Sequence, residues 1–130
     1  MTEKYIIKYH PKFDKEVNKL MKKCPSLKED FERLTNVLLF HLKTGDHYLP
    51  DDQYLQLQRL NVPFPVFKIK KFRCKDIPKG NRSGFRFIFI LSRKHHVIYF
   101  TECYFKRSNE IENRNRIRKI CLNYEKYFNE

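Results

Sequence analysis

The 130-residue chain carries 28 Lys and Arg against 15 Asp and Glu, a formal charge of +13, and its length suits a single domain over residues 1–130. With 41% apolar residues and 15% Phe or Tyr it can bury a core, which excludes a disordered basic tail. No window reaches the roughly 18 uninterrupted apolar residues of a membrane span, and the lysine-studded first 23 residues lack a signal-peptide core, so a cytoplasmic protein without a membrane partner is expected.

In chain order, Glu3 to Tyr9 is β-favouring and ends at His10-Pro11, a short strand that can open a sheet. Phe13, Val17, Leu20 and Met21 recur at helical spacing until Cys24-Pro25 breaks the run. Ser26 with Glu29 reads as a capping box, after which Leu27, Phe31, Leu34, Leu38 and Leu42 carry a second helix to Gly45. These two helices are expected to form a hairpin. Asp46 to Pro65 is left open between helix and strand.

Three strands follow, Val66 to Arg73, Phe85 to Leu91 and Val97 to Phe105, the middle one apolar enough for the sheet interior, with a tight turn at Ser92 to His96. Asn109 to Phe128 reads as a helix presenting Ile117, Ile120, Cys121, Tyr124 and Phe128 on one face. The predicted fold class is α+β, a mostly antiparallel twisted sheet with an N-terminal helical hairpin, a C-terminal helix and helices over one sheet face.

The charge is concentrated. Residues 66–107 hold 12 basic and 2 acidic side chains, Asp76 and Glu102, whereas 1–65 hold 11 and 9 and 108–130 hold 5 and 4. A cationic surface on a sheet seeks a polyanion such as a phosphate backbone, with steep salt dependence. Cys24, Cys74, Cys103 and Cys121 form no C-x-x-C pair and are expected to be reduced core thiols. His10, His41 and His47 show no ligand spacing, His95-His96 reads as exposed turn, and no Walker loop or serine-nucleophile motif occurs, so neither metal nor other cofactor is expected.

The loop Lys79-Gly80-Asn81-Arg82-Ser83-Gly84-Phe85-Arg86 alternates cations with turn-tolerant residues that let a phosphate approach the backbone. Strict alternation in the last strand sends Glu102, Tyr104 and Lys106 to one face and Val97, Tyr99, Thr101, Cys103 and Phe105 to the other. A hairpin turning near residue 94 brings Arg86 toward residues 102–106.

The runs Lys68-Ile69-Lys70-Lys71-Phe72-Arg73, Lys79 to Phe89, and Cys103-Tyr104-Phe105-Lys106 followed by Asn109-Glu110 resemble the RelE/HigB toxins of bacterial toxin–antitoxin systems, within the RelE/ParE superfamily. The resemblance implies a RelE-like fold and an mRNA interferase, an endoribonuclease usually acting on mRNA in the ribosomal A site. It also implies a cognate antitoxin, through which operator DNA is contacted only indirectly. Carried over by motif, the catalytic set is Arg86, Lys106, Tyr104, Lys79 and Arg82, with Lys68, Lys70, Lys71, Arg73 and Arg107 binding substrate. The chain departs from the family pattern where Ser83-Gly84 replaces two glycines, where Asp46 to Pro65 runs long, and where the C-terminal tyrosine of some members has no clear match.

Cleavage by the RNA's own 2′-hydroxyl needs a base, cations for the charge growing on phosphoryl oxygens, and an acid for the leaving 5′-oxygen. Arg86 and Arg82 suit the second role because guanidinium grips phosphate with a bidentate fork. Lys106 and Lys79 can add charge or move a proton, and Tyr104 can stack on a base or move a proton. Glu102 is an outside candidate for base, kept ionised by cations, and otherwise an ion-pair partner. A gyrase-inhibiting ParE-like protein and a plain RNA- or DNA-binding module are the rival readings.

Overall fold

A computed structural model describes residues 4–44, 49–78, 80, 83–106 and 111–129. The elements are β1 (Ile6–Tyr9), α1 (Phe13–Leu20), α2 (Leu27–Thr44), β2 (Tyr54–Gln56), β3 (Val66–Ile69), β4 (Phe85–Ser92), β5 (Val97–Phe105), α3 (Arg114–Leu122) and α4 (Tyr124–Phe128). The fold is α+β, and its sheet is mixed, ordered β1-β5-β4-β3-β2. β1 runs parallel to β5, and the other pairings are antiparallel. The apolar β4 occupies the centre, where both of its faces are covered.

Helix placement differs from the expectation of one covered face. α1 and α2 bring Phe13, Val17, Phe31 and Leu38 onto Phe87, Phe89 and Phe100, an aromatic slab with ring centroids as close as 4.9 Å for Phe31 and Phe87. α3 and α4 bury Ile117, Ile120, Cys121 and Phe128 against Val66, Ile88, Ile90 and Tyr99 on the opposite face. A sheet with apolar side chains on both faces needs a layer on each. The predicted single C-terminal helix breaks at Asn123, whose side-chain amide donates to the Lys119 carbonyl 2.9 Å away. The stretch left open supplies β2, whose Tyr54 is buried under α2.

The predicted alternation of β5 fails at one point. Ile88 faces Glu102 and Phe89 faces Phe100, so Thr101 is the extra residue of a bulge. Before the bulge Val97 and Tyr99 point toward α3, and after it Tyr104 does, so these three share a face, contrary to the alternation rule. Beyond Phe100 the edge of β5 outruns β1, which stops at His10-Pro11. Side chains satisfy that edge: Glu16 accepts from the Cys103 amide at 3.3 Å, and Arg116 donates to the Thr101 carbonyl at 3.0 Å and to Glu16 at 2.8 Å.

Cys103 and Cys121 are buried thiols as expected, but Cys24 and Cys74 are joined in a disulfide across 50 residues. This corrects the reading of four reduced thiols; a sequence separation of 50 leaves no spacing signal. Around the bridge, the Ser26 amide donates to Asp76 at 2.8 Å, the Lys75 amide to Asp30 at 2.8 Å and the Ser26 hydroxyl to Asp30 at 2.7 Å. Ser26 therefore works with Asp30 and Asp76, and the predicted capping box with Glu29 is not the arrangement formed.

Two positions in this frame give measurable expectations. Gly84 has φ +93°, and a Cβ there would lie 2.8 Å from the Phe105 ring. Gly84→Ala therefore combines left-handed strain with a clash and is expected to cost about 1–3 kcal/mol in urea unfolding; an unchanged midpoint would contradict the packing. His10 accepts from the Lys12 amide at 3.2 Å through Nδ1. Burial first, then the charges of Arg116, Lys12 and Lys119, lower its pKa from 6.5 to about 4. Because the unfolded chain takes up that proton first, the stabilisation present above pH 6.5 is lost as pH falls through 4. The decline in unfolding free energy across that window is expected to be shallower in His10→Gln, and identical slopes would refute the assignment.

Candidate nucleic-acid site

Of the cations predicted for the site, Lys68 and Arg86 lie on neighbouring strands, with Lys70 just past the end of β3 and Lys106 just past the end of β5. Lys68 stands opposite Ile88 and Ile88 opposite Glu102, while one step nearer the strand ends Arg86 stands opposite Tyr104. Extending the β3–β4 register one residue past Ile69 puts Lys70 opposite Arg86. With strands about 4.8 Å apart, Lys70, Arg86 and Tyr104 form a row roughly 10 Å wide. Arg86 spans part of it, donating from Nη1 to the Lys70 carbonyl at 2.9 Å and to the Phe85 carbonyl at 3.2 Å.

Lys106 follows at the end of β5, exposed, its amide donating to the Gly84 carbonyl at 2.9 Å. The adjoining loop is anchored by Ser83, whose buried hydroxyl donates to the Phe72 carbonyl at 2.6 Å. That bond gives the Ser83 hydroxyl a structural use. Lys79, Arg82 and Arg107 lie outside the described residues.

Two of the predicted substrate contacts separate from the row. β3 ends at Ile69 and Phe72 turns into the core, so Lys71 and Arg73 line a groove of about 410 Å³ beside α2, together with Asp30, Arg33 and Asp52. They are not part of the Lys70–Arg86–Tyr104 row.

Tyr104 is 4% exposed and packed among Ile88 and Ile117, which closes it to base stacking and leaves hydrogen bonding as its available chemistry. The neighbouring Lys68 ammonium pairs with Glu112 at 2.7 Å. Glu112 in turn takes Arg114 at 2.9 Å, and its own side chain is 2% exposed. Burial would lower the Lys68 pKa, yet Glu112 and Tyr104 hold it above the ordinary lysine value. Burial would likewise raise Glu112, but Lys68 and Arg114 hold it below the ordinary carboxylate value. Burial raises the Tyr104 phenol, with Lys68 opposing.

Glu102 is buried and accepts from the Asn113 amide at the start of α3. Burial raises its pKa against that bond and Arg116. It anchors a helix N-terminus, and among the described residues burial outweighs the charge of Arg116 at this carboxyl.

Glu112 and Arg114 were missed from the sequence. Starting the last helix at Asn109 hid Glu112 inside a first turn, whereas Asn113 is the cap, accepting from the Arg116 amide at 3.0 Å. Among the described residues, Cys24, Cys74 and Asp30 are the group of metal-type donors. The two sulfurs are bonded to each other, and Asp30 is taken by Arg33, Ser26 and Lys75. Among the described residues no helix is long and apolar enough to cross a membrane.

No protein-family model, curated protein or solved structure matches the chain.

Proposed function

We propose that this chain is a RelE/HigB-like toxin, an mRNA interferase that cuts mRNA in the ribosomal A site and is held in check by a cognate antitoxin. The observation that carries the reading is the pairing of Arg86 with Tyr104 across β4 and β5, with Lys70 just past the end of β3 and its carbonyl held by Arg86, Lys68 on β3 and Lys106 just past the end of β5. A helical pair between β1 and the remaining strands, and helical chain after the last strand, support the reading at the level of element order.

In the proposed reaction the 2′-hydroxyl loses its proton and attacks phosphorus, the bond to the 5′-oxygen breaks, and a cyclic phosphate and a 5′-hydroxyl result. The Arg86 guanidinium receives the charge developing on the phosphoryl oxygens, the role to which a preorganised donor contributes most. Lys70 and Lys106 are exposed cations for the flanking phosphates. Lys79, Arg82 and Arg107 belong to the proposed site by motif alone.

Primer extension on translated mRNA tests this. Discrete cuts within codons that appear on induction and vanish on co-expression of the neighbouring gene product are the expected result; intact mRNA with inhibited supercoiling would point to the ParE-like reading instead. The covering of Tyr104 and the pairing of Lys68 with Glu112 favour, as a second reading, a basic RNA-binding module without catalysis. Salt-sensitive RNA binding with no cleavage and no toxicity would establish that alternative.

A further inference from the structure

Residues 57–65, between β2 and β3, have no part in the proposed reaction, yet they wall a cavity of about 500 Å³, a size that suits a small ligand. Arg59 and Arg93 supply its cations, Gln56 and Asn61 its side-chain amides, and Val62 and Phe64 part of its apolar wall. Among the described residues no carboxylate lines it. Arg59 and Asn61 both hold left-handed backbone, at φ +62° and +56°. Non-glycine residues keep that conformation where their surroundings over-determine it. Here α3 does so: Arg114 donates to the Gln58 carbonyl at 2.8 Å and Arg118 to the Leu60 carbonyl at 3.2 Å, which pins Arg59 on both sides. The Phe64 ring is set by Tyr124 and Phe128, with centroids 5.2 and 5.4 Å away.

The cavity shares a sheet face with Arg86. Arg86 stands opposite Tyr104, and residues paired across strands point to the same side. Tyr104 packs in the same apolar cluster as Leu57, Val62 and Phe64. Arg86 lies near the start of β4 and Arg93 follows its last residue, so at about 3.4 Å per residue the two are roughly 24 Å apart. Lys68 and Arg114, two cations on the single carboxylate of Glu112, lie between these ends. We propose that the cavity is a second nucleotide subsite for the same RNA strand, several nucleotides from the linkage at Arg86: Arg59 and Arg93 take a phosphate and Phe64 offers its ring to the base. The inference rests on the RNA-binding part of the proposed function and holds whether or not the bound strand is cut. Guanidinium forks fit phosphate, and an aromatic wall suits an unpaired base. A nucleotide uses both features, whereas a bare inorganic anion uses only the first.

Anisotropy of a fluorescein-labelled single-stranded RNA long enough to span both ends, titrated at several salt concentrations, tests this. Arg59 and Arg93 are exposed, so Arg59→Gln and Arg93→Gln remove charge without disturbing the core, and Arg59→Gln keeps the same backbone. Each is expected to weaken the strand roughly tenfold at low salt and to lower the slope of log affinity against log salt by about 0.7, the loss of one phosphate contact. Phe64→Leu is expected to weaken it severalfold at unchanged slope, because the ring carries no charge. Affinity and slope that stay at wild-type values in both arginine variants overturn the subsite, as does a Phe64→Leu protein that binds as wild type does. Adenosine monophosphate, added as competitor, separates a strand subsite from a site for free nucleotides. It is expected to displace the strand only in large excess; mononucleotide binding as tight as the strand's, lost in Arg59→Gln while strand affinity is kept, overturns the proposal. A wild type that binds the strand and cuts nothing sinks the nuclease reading while the slope still decides the subsite. Cleavage of mRNA with an unaltered slope sinks the subsite alone.

Discussion

Arg86→Ala is expected to fold and to lose roughly thirtyfold to a thousandfold in ribosome-dependent cleavage, the equivalent of about 2–4 kcal/mol of transition-state stabilisation. The fold should survive because the strand is held by Phe85 and Phe87, whose rings are buried on the opposite face, and by the ladder to β5. The two bonds described for Arg86 both leave from Nη1 toward backbone carbonyls of Lys70 and Phe85. They set the guanidinium plane in advance, while Nε and Nη2 can form the fork for two phosphoryl oxygens. Arg86→Lys keeps the charge and loses the fork, so it should fall between wild type and Arg86→Ala. A folded Arg86→Ala protein with full cleavage would move the chemistry away from this row.

Reduction of the Cys24–Cys74 bridge is the second large effect. The bond closes a loop of about 50 residues, and in the chain-entropy account such a crosslink is worth about 4 kcal/mol. For a domain of this size that corresponds to a fall in Tm on the order of 10–15 °C. Melting with and without a strong reductant should show that difference in the wild type and none in Cys74→Ser, whose Tm should match the reduced protein. Intact mass under non-reducing denaturation should be lower by the two hydrogens lost in forming the bond. Identical melting in both conditions would mean the thiols are not joined. The bridge and the bonds among Ser26, Asp30, Lys75 and Asp76 tie the start of α2 to the segment after β3.

Most of the order of strands and helices, β2 and the separate α4 excepted, was legible in the chain because each follows from short-range rules. Helical spacing marked α1 and α2, the apolar run marked β4 as interior, and the short turn paired β4 with β5. From that pairing Arg86 was expected near residues 102–106, and the register sets it opposite Tyr104. Boundaries were less accurate where one residue overrides a pattern: Asn123 breaks the last helix, and β3 stops at Ile69 before its cationic continuation.

What composition and periodicity determined by themselves is an α+β domain with its positive charge massed in residues 66–107, of which only Lys68 and Arg86 lie within strands. Tertiary structure alone decided which of those charges meet. A single bulge at Thr101 puts Tyr99 and Tyr104 on the same face, the end of β3 sends Lys71 and Arg73 toward α2, and docking of α3 delivers Glu112 onto Lys68. Periodicity describes one element at a time, whereas a site is made where elements separated by tens of residues pack, and the energy that fixes those contacts is non-local.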